Sequence, residues 1–335
     1  MVDDVLRAHF RDNGIELLHP RAGAVAFAEQ FSVERRDDVV VLIGPTRPLA
    51  SGSAPDPVAF TARRVIEDLA RHPIIEAHRI GEKVVLPATF ALGAMINVAE
   101  RALPGRCVRG VRDFRVLNGV SFPSGSTVPQ LLVHAEPTRD ATTLSVRVTS
   151  VDGERLIPHY VAQLLLADNE PPMTTVDPDW GHVGKDAQFI YDEGQQFHGP
   201  ALRGLAEVLE LSESRLVVTA SLPEAVVALG AYQGMLHNPV QADLILQVPP
   251  VLAHSALGAA CLPMGVGSID FYHQLPTGEA FTVVADNLRR DALSATVDAV
   301  AIAQDNTVLQ RWNDVSVVTA PDLSAMFLES ARQWN

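Results

Sequence analysis

Cysteine is nearly missing from this chain of 335 residues: Cys107 and Cys261 are the only two. Two thiols build neither a disulfide framework nor a cysteine-rich zinc site, and a reducing, cytoplasmic setting is expected. Aromatic residues make up only 6%, so the core has to be assembled from Val, Leu, Ile and Ala. Positive charge is short as well, with 26 Lys and Arg against 40 Asp and Glu for a net −14. That balance excludes nucleic acid and anionic membrane as partners, because both demand clustered cations. Apolar runs such as Val39–Ile43 and Ala256–Leu262 fall far short of the ~20 residues that span a bilayer. The first residues lack the basic-then-apolar order of a signal peptide, so a soluble protein is expected.

Three chemical signatures are missing too. The first 46 residues hold no Gly-x-Gly-x-x-Gly turn, so no dinucleotide site follows from them. There is no Gly-x-Ser-x-Gly elbow, which disfavours an acyl-enzyme hydrolase. No helical His-x-x-x-His pair occurs and the cysteines stand alone, so neither metal nor cofactor is expected.

What the chain does contain begins with a short α/β segment over residues 1–46. It reads helix, strand, helix, strand and ends on the continuous apolar run Val39–Ile43 of a strand buried on both faces. Residues 47–57, rich in Pro, Gly and Ser, read as a linker. Beyond it the same unit occurs twice, over 58–178 and 179–335. The first has a helix from about Pro87 to Ala102 and strands near Val108–Val116, Val128–Ala135, Thr143–Ser150 and Leu156–Ala167. The second has strands near Val208–Leu211 and Ser214–Leu222 and a helix opening near Pro239. Strands near Gly267–His273, Ala280–Asp286, Ser294–Gln304 and Val308–Thr319 follow. The period-two alternation of Leu144–Ser150 is that of a half-buried strand. The expected fold is therefore α+β: two long helices, each wrapped by an antiparallel sheet, in a double hotdog.

Three motifs carry chemistry. His78 precedes a glycine turn at Gly81–Glu82 and lies nine residues before Pro87 at a helix start. That puts an imidazole next to backbone N–H groups and the positive end of a helix, although any loop histidine can precede a turn. Asp243 and Gln247 are four apart, hence on one helix face, so the amide can aim the carboxyl group. The apolar neighbours Val240, Ala242, Leu244, Ile245 and Leu246 should raise the pKa of Asp243 and keep it protonated; the plainer reading is an acid complementing the helix dipole. Phe197-His198-Gly199-Pro200 is a rigid turn entering a strand. Pro249-Pro250, inside the second helix, should kink or break it.

From about Asp56 to the C-terminus these motifs, in this order, resemble the dehydratase domains of polyketide and polyunsaturated fatty acid synthases. The family pattern is His-x-x-x-Gly-x-x-x-x-Pro, then Tyr-Gly-Pro or His-Gly-Pro, then Asp-x-x-x-Gln or Asp-x-x-x-His. Here the glycine is Gly81, one place early, and Glu82 stands at the usual glycine position, while Asp243 and Gln247 match fully. The His198-Gly199-Pro200 form is most similar to the iterative polyunsaturated fatty acid and enediyne synthases. The short segment in front resembles the end of a ketoreductase domain.

The resemblance implies removal of water from a 3-hydroxyacyl thioester on an acyl carrier protein. His78 is implied as the base, Asp243 as the acid, Gln247 as its orienter, and the N–H groups around Gly81 and Glu82 as the carbonyl-polarising site. It implies neighbouring synthase domains such as a ketoreductase as partners, with a homodimer open. An acidic carrier would dock on a local basic patch, for which Arg106, Arg109, Arg112, Arg115, Arg63, Arg64 and Arg71 are candidates. A non-catalytic acyl-binding or structural double hotdog, motivated by Glu82 and Pro249-Pro250, stays open, as does double-bond isomerase or product-template activity on the same scaffold.

Overall fold

The computed structural model describes residues 59–64, 66, 69, 71–103, 105–122, 130–140, 142–167, 174–222 and 230–334. The α/β segment 1–46 and the linker 47–57 lie outside these residues.

The first half runs β1 (Phe60–Arg64), α1 (Pro73–Glu76), β2 (Arg79–Ile80), β3 (Lys83–Val85), α2 (Ala88–Ala102), β4 (Cys107–Val116), β5 (Ser121–Phe122), β6 (Leu131–Pro137), β7 (Thr143–Asp152) and β8 (Arg155–Ala167). The second runs β9 (Lys185–Asp186), α3 (Gln188–Asp192), a 3-10 turn (Pro200–Leu202), β10 (Leu205–Leu211), β11 (Leu216–Ala220), α4 (Pro239–Leu257), β12 (Cys261–Phe271), β13 (Phe281–Arg290), β14 (Ser294–Ile302), β15 (Val308–Thr319) and α5 (Leu323–Trp334).

Twelve strands form one sheet in the order β1-β6-β7-β8-β4-β12-β15-β14-β13-β11-β10-β9, and β2-β3-β5 form a small second sheet. The two halves of the large sheet join where β4 pairs antiparallel with β12, with Phe114 opposite Val266 and Val111 opposite Ile269. Across the same joint Arg112 Nη2 meets Asp270 Oδ1 at 2.8 Å.

Each half wraps a helix that is buried all round, as expected of an interior helix. Every residue of α2 from Thr89 to Ala99 is buried, as is every residue of α4 from Pro239 to Ala253. Gly93 of α2 lies where a Cβ would overlap the Tyr232 carbonyl oxygen, so glycine admits the backbone of the second half against this helix.

The ends of α4 are built from sequence. Asn238 Oδ1 accepts from Val240 N and Gln241 N, Pro239 takes the first helical position, and Gly258 closes the helix at φ +68°. The break expected at Pro249-Pro250 does not occur: α4 is one helix across both prolines. An interior proline costs about 3 kcal/mol in an isolated helix, but here both rings are buried in the core. Gln196 Nε2 also donates to the Gln247 carbonyl just ahead of them. Packing outweighs local propensity.

Helix α5, unassigned in the sequence reading, packs Leu323 and Phe327 with Ile80, Phe197 and Ala260 in a separate apolar cluster. No helix among the described residues is long and apolar enough to cross a membrane.

Candidate active site

A cavity of about 270 Å³ is lined by residues of both halves, His78, Tyr160, His198, Asp243 and Gln247 among them. Its remaining walls are mostly apolar, including Ile80, Leu246, Pro250, Leu262 and Met264.

His78 is placed by a short cascade of capping. His72 caps α1 with Pro73 at its first position, and the turn ends with His78 N donating to Ile75 O. The β2–β3 hairpin folds back so that Val85 N donates to His78 O, and its turn uses Gly81 at φ +57°. The His78 ring repeats the pairing, with Nδ1 2.8 Å from Val85 O. A carbonyl only accepts, so Nδ1 carries the proton and Nε2 keeps its lone pair. Burial, reinforced by the neighbouring His198, brings the His78 pKa down to about 4. The imidazole is therefore a neutral base at physiological pH.

Asp243 lies in the second turn of α4 and is 3% exposed. Gln247 Nε2 donates to its Oδ2 at 3.0 Å, and His198 Nε2 lies 3.3 Å from the same oxygen. The amide cannot turn over. Its Nε2 also donates to Leu202 O, while its Oε1 accepts from the Tyr191 hydroxyl, which in turn accepts from Leu205 N. The Gly199-Pro200 turn thus delivers both His198 and the Leu202 carbonyl to the Asp243 network.

The sequence reading expected a raised Asp243 pKa. Burial does push it up, but the His198 imidazole and its hydrogen bond, the electrostatic influence of the nearby His78 ring and the Gln247 amide together outweigh burial and hold it below its usual value. Neighbours along the helix are apolar; the imidazoles reach Asp243 from other elements, which local sequence does not reveal.

Phe197 organises the two histidines. It stacks on His198 with centroids 4.2 Å apart and meets His78 edge-on at 4.8 Å. Its other neighbour is Phe327 of α5, at 4.8 Å.

Gly81 and Glu82 do not reach the cavity. The Gly81 N–H donates to Ser330 Oγ of α5 at 2.9 Å, and Glu82 is exposed. The Gly81 N–H is therefore already spent and does not polarise a carbonyl in the cavity. Ala88, at the start of α2 after Pro87, does line the cavity. Pro200 is exposed and acts through its turn, whereas Gly199 is buried, with N–H donated to Ala77 O.

Sequence reasoning missed Tyr191, Gln196, Leu202, Tyr160 and Ser330: Tyr160 and Ser330 are far from the motifs in sequence, Leu202 acts through its carbonyl, and Tyr191 and Gln196, though near the Phe197–Pro200 turn, meet Gln247 only across the fold. Ser330 alone had a usable signal: Leu323, Phe327 and Ala331 recur every four residues, the stripe of an amphipathic helix.

Of the candidate docking arginines, Arg112 is tied to Asp270 and Arg64 donates to Asn97 Oδ1. Arg115 is exposed and adjoins Val116 of the cavity wall.

A family model described as the polyketide synthase dehydratase N-terminal domain matches residues 178–325, the half that carries Asp243. A polyunsaturated fatty acid synthase polypeptide of Thraustochytrium sp. is 25% identical over 299 residues, covering 84% of this chain and 10% of the relative. The chain thus spans about a tenth of the length of that curated relative. Among solved structures, an N-terminal dehydratase from the difficidin assembly line superposes with a TM-score of 0.65 at 15% identity, covering 84% of this chain and all of that one. The dehydratase domain from the CurH module of the curacin polyketide synthase gives 0.61 at 17%, covering 83% and 98%. That of RzxB from Pseudomonas fluorescens gives 0.62 at 17%, covering 78% and 94%.

Proposed function

We propose, starting from a chain that has the double-hotdog fold of synthase dehydratase domains, that it removes water from a 3-hydroxyacyl thioester held on an acyl carrier protein. The product is a 2,3-enoyl thioester. The observation that carries this reading is that one apolar cavity is faced by a neutral, tautomerically fixed imidazole from the first half and by a buried, hydrogen-bonded carboxyl group from the second.

In the reaction, His78 Nε2 takes the proton from the carbon next to the thioester. The carbon–oxygen bond at C3 breaks, the double bond forms, and the hydroxyl leaves as water with a proton from the acid. That proton is assigned to the paired Asp243 and His198, whose Oδ2 and Nε2 lie 3.3 Å apart. Gln247 and His198 both engage Oδ2 of Asp243, and Oδ1 is the oxygen assigned to proton delivery. The positive end of α2 at Ala88 is the remaining candidate for stabilising charge that builds on the thioester oxygen. The scheme invokes no cofactor beyond the carrier's own arm.

Both motives for a non-catalytic reading weaken, because Glu82 lies outside the cavity and α4 runs unbroken through Pro249-Pro250. Docking of the carrier is assigned to the cavity mouth near Arg115. A cytoplasmic setting with neighbouring synthase domains such as a ketoreductase, and self-association into a homodimer, complete the proposal.

The deciding assay incubates a (3R)-hydroxyacyl carrier protein with the chain and follows mass. Loss of one water that disappears in His78→Ala and Asp243→Asn supports the reading. No loss with the wild type, or unchanged loss in both variants, overturns it, and a 3,4-enoyl product from a 2,3-enoyl substrate redirects it to isomerisation.

A further inference from the structure

We propose that His78, His198 and Asp243 together bind a divalent transition-metal ion such as zinc, and that ion binding and proton transfer at this site exclude one another. The exclusion rests on the dehydration reading above; the metal site itself does not.

The fold assembles what spacing along the chain did not show. His78 comes from the loop after α1, His198 from the turn ahead of the 3-10 helix, and Asp243 from α4. Each is buried and offers one ligand atom, and these atoms all lie within 4.8 Å of one another. Bonds of about 2.1 Å in tetrahedral geometry put ligand atoms roughly 3.4 Å apart. The His198 Nε2 and Asp243 Oδ2 pair, at 3.3 Å, already has that spacing. The remaining distances, up to 4.8 Å, shorten when the His78 ring closes in on an ion.

The supporting contacts of His78 and Asp243 have the form metal sites use, while His198 Nδ1 is buried without a hydrogen-bond partner. A ligating histidine donates its other ring N–H to a carbonyl or carboxylate, which fixes tautomer and orientation. His78 does this through Nδ1 to Val85 O and leaves Nε2 bare. The Asp243 carboxylate is held by Gln247, which is locked by Tyr191 and Leu202. Two imidazoles and one carboxylate are donors that suit zinc or cobalt. Three protein ligands leave a further position toward the cavity for water or an oxygen-bearing ligand.

The exclusion follows from electron counting. The lone pair on His78 Nε2 that would accept the substrate proton is the one donated to the ion, and Asp243 bound to the ion as carboxylate holds no proton to give. An ion at this site therefore blocks dehydration reversibly.

The test uses the full chain, stripped with a chelator and titrated with cobalt(II). One equivalent with visible ligand-field absorption, displaced by zinc and lost in His78→Asn, His198→Asn and Asp243→Asn taken singly, is expected. No absorption in the wild type, or the same absorption in the triple variant, overturns the proposal. Should a variant unfold, anomalous scattering from zinc-soaked wild-type crystals decides: a peak among the three side chains supports the site, and peaks only elsewhere overturn it. Zinc should abolish dehydration and chelator restore it; stimulation by zinc overturns the exclusion. An intact cobalt site in a protein that dehydrates nothing when metal-free supports the metal site and counts against the dehydratase reading.

Discussion

His78 Nδ1 lies 2.8 Å from the carbonyl oxygen of Val85, and that contact decides which nitrogen of the ring does chemistry. With Nδ1 protonated, Nε2 is the base, and burial keeps it unprotonated down to about pH 4. The acid limb of kcat/KM should thus fall with an apparent pKa near 4 rather than near the ordinary histidine value of about 6.5. His78→Ala should remove measurable water loss across the whole range, while a limb near 6.5 in the wild type would show that the ring is solvated.

The same burial links stability to pH. His78 and His237 are both held at about 4 in the folded chain, so between there and about 6.5 the unfolded chain binds more protons. Stability is fully present above about pH 6.5 and is lost as pH falls toward 4, by about 3 kcal/mol for each histidine at the lower end. Asp243, also lowered, adds a loss of the same sign only below its ordinary value of about 3.9, under this window. Urea unfolding at pH 7 and at pH 4.5 measures the difference, and equal midpoints would contradict the burial of these rings.

Gln247 is the support of Asp243, and its orientation depends on Tyr191, whose hydroxyl donates to Oε1 at 2.8 Å. Tyr191→Phe removes two buried hydrogen bonds, to Gln247 Oε1 and from Leu205 N; the one that orients Gln247, worth about 1 kcal/mol, should lower kcat roughly fivefold with KM little changed. Gln247→Leu leaves the Leu202 carbonyl and Asp243 Oδ2 short of a donor and should cost more, on the order of 100-fold in kcat. A steady-state kcat in Gln247→Leu equal to the wild type would remove Gln247 from the acid's support.

Much of this arrangement was legible before any coordinates. The alternation of Leu144–Ser150 and the apolar helices beginning near Pro87 and Pro239 were enough to place two sheet-wrapped helices, because binary patterning is local. His78, Asp243 and Gln247 were legible by spacing. Not legible were contacts made across the fold. The His198 imidazole that reverses the expected Asp243 shift comes from a turn 45 residues upstream, as the numbering shows. The Gly81 N–H, offered by sequence as a carbonyl donor, is taken by Ser330, 249 residues away. The prolines of α4 mislead for the same reason: propensity is local, and burial is not.

Ser330 and Phe327 make the C-terminal helix part of the site's foundation. Ser330→Ala strands the buried Gly81 N–H, a loss of about 1–3 kcal/mol, and Phe327→Ala empties the space against Phe197 at about 3–5 kcal/mol. Gly199→Ala disturbs a different point of the same helix, since a Cβ there would come within 2.6 Å of Trp334 Cε2. All three variants should lower both the melting temperature and kcat, as the loops bearing His78 and His198 lose their backing. Wild-type kcat in Phe327→Ala despite a lowered melting temperature would confine α5 to a structural role.

Gly93 sets two effects of known sign against each other. Alanine in a helix interior is favoured over glycine by about 1 kcal/mol, which on propensity alone predicts a stabilised Gly93→Ala. The Tyr232 carbonyl oxygen, however, occupies the place of the new methyl group, and a backbone atom cannot rotate away as a side chain can. Overpacking of this kind costs about 1–3 kcal/mol or more. The overlap should win, because relief requires α2 to move away from the loop that also receives Asn97 Nδ2 at Gly230 O and Gln233 O. The expected outcome is a melting temperature lower by roughly 5–10 °C, measured by calorimetry. A rise instead would mean that the two halves do not approach so closely at Gly93, and the seating of α2 against the second half would have to be redrawn.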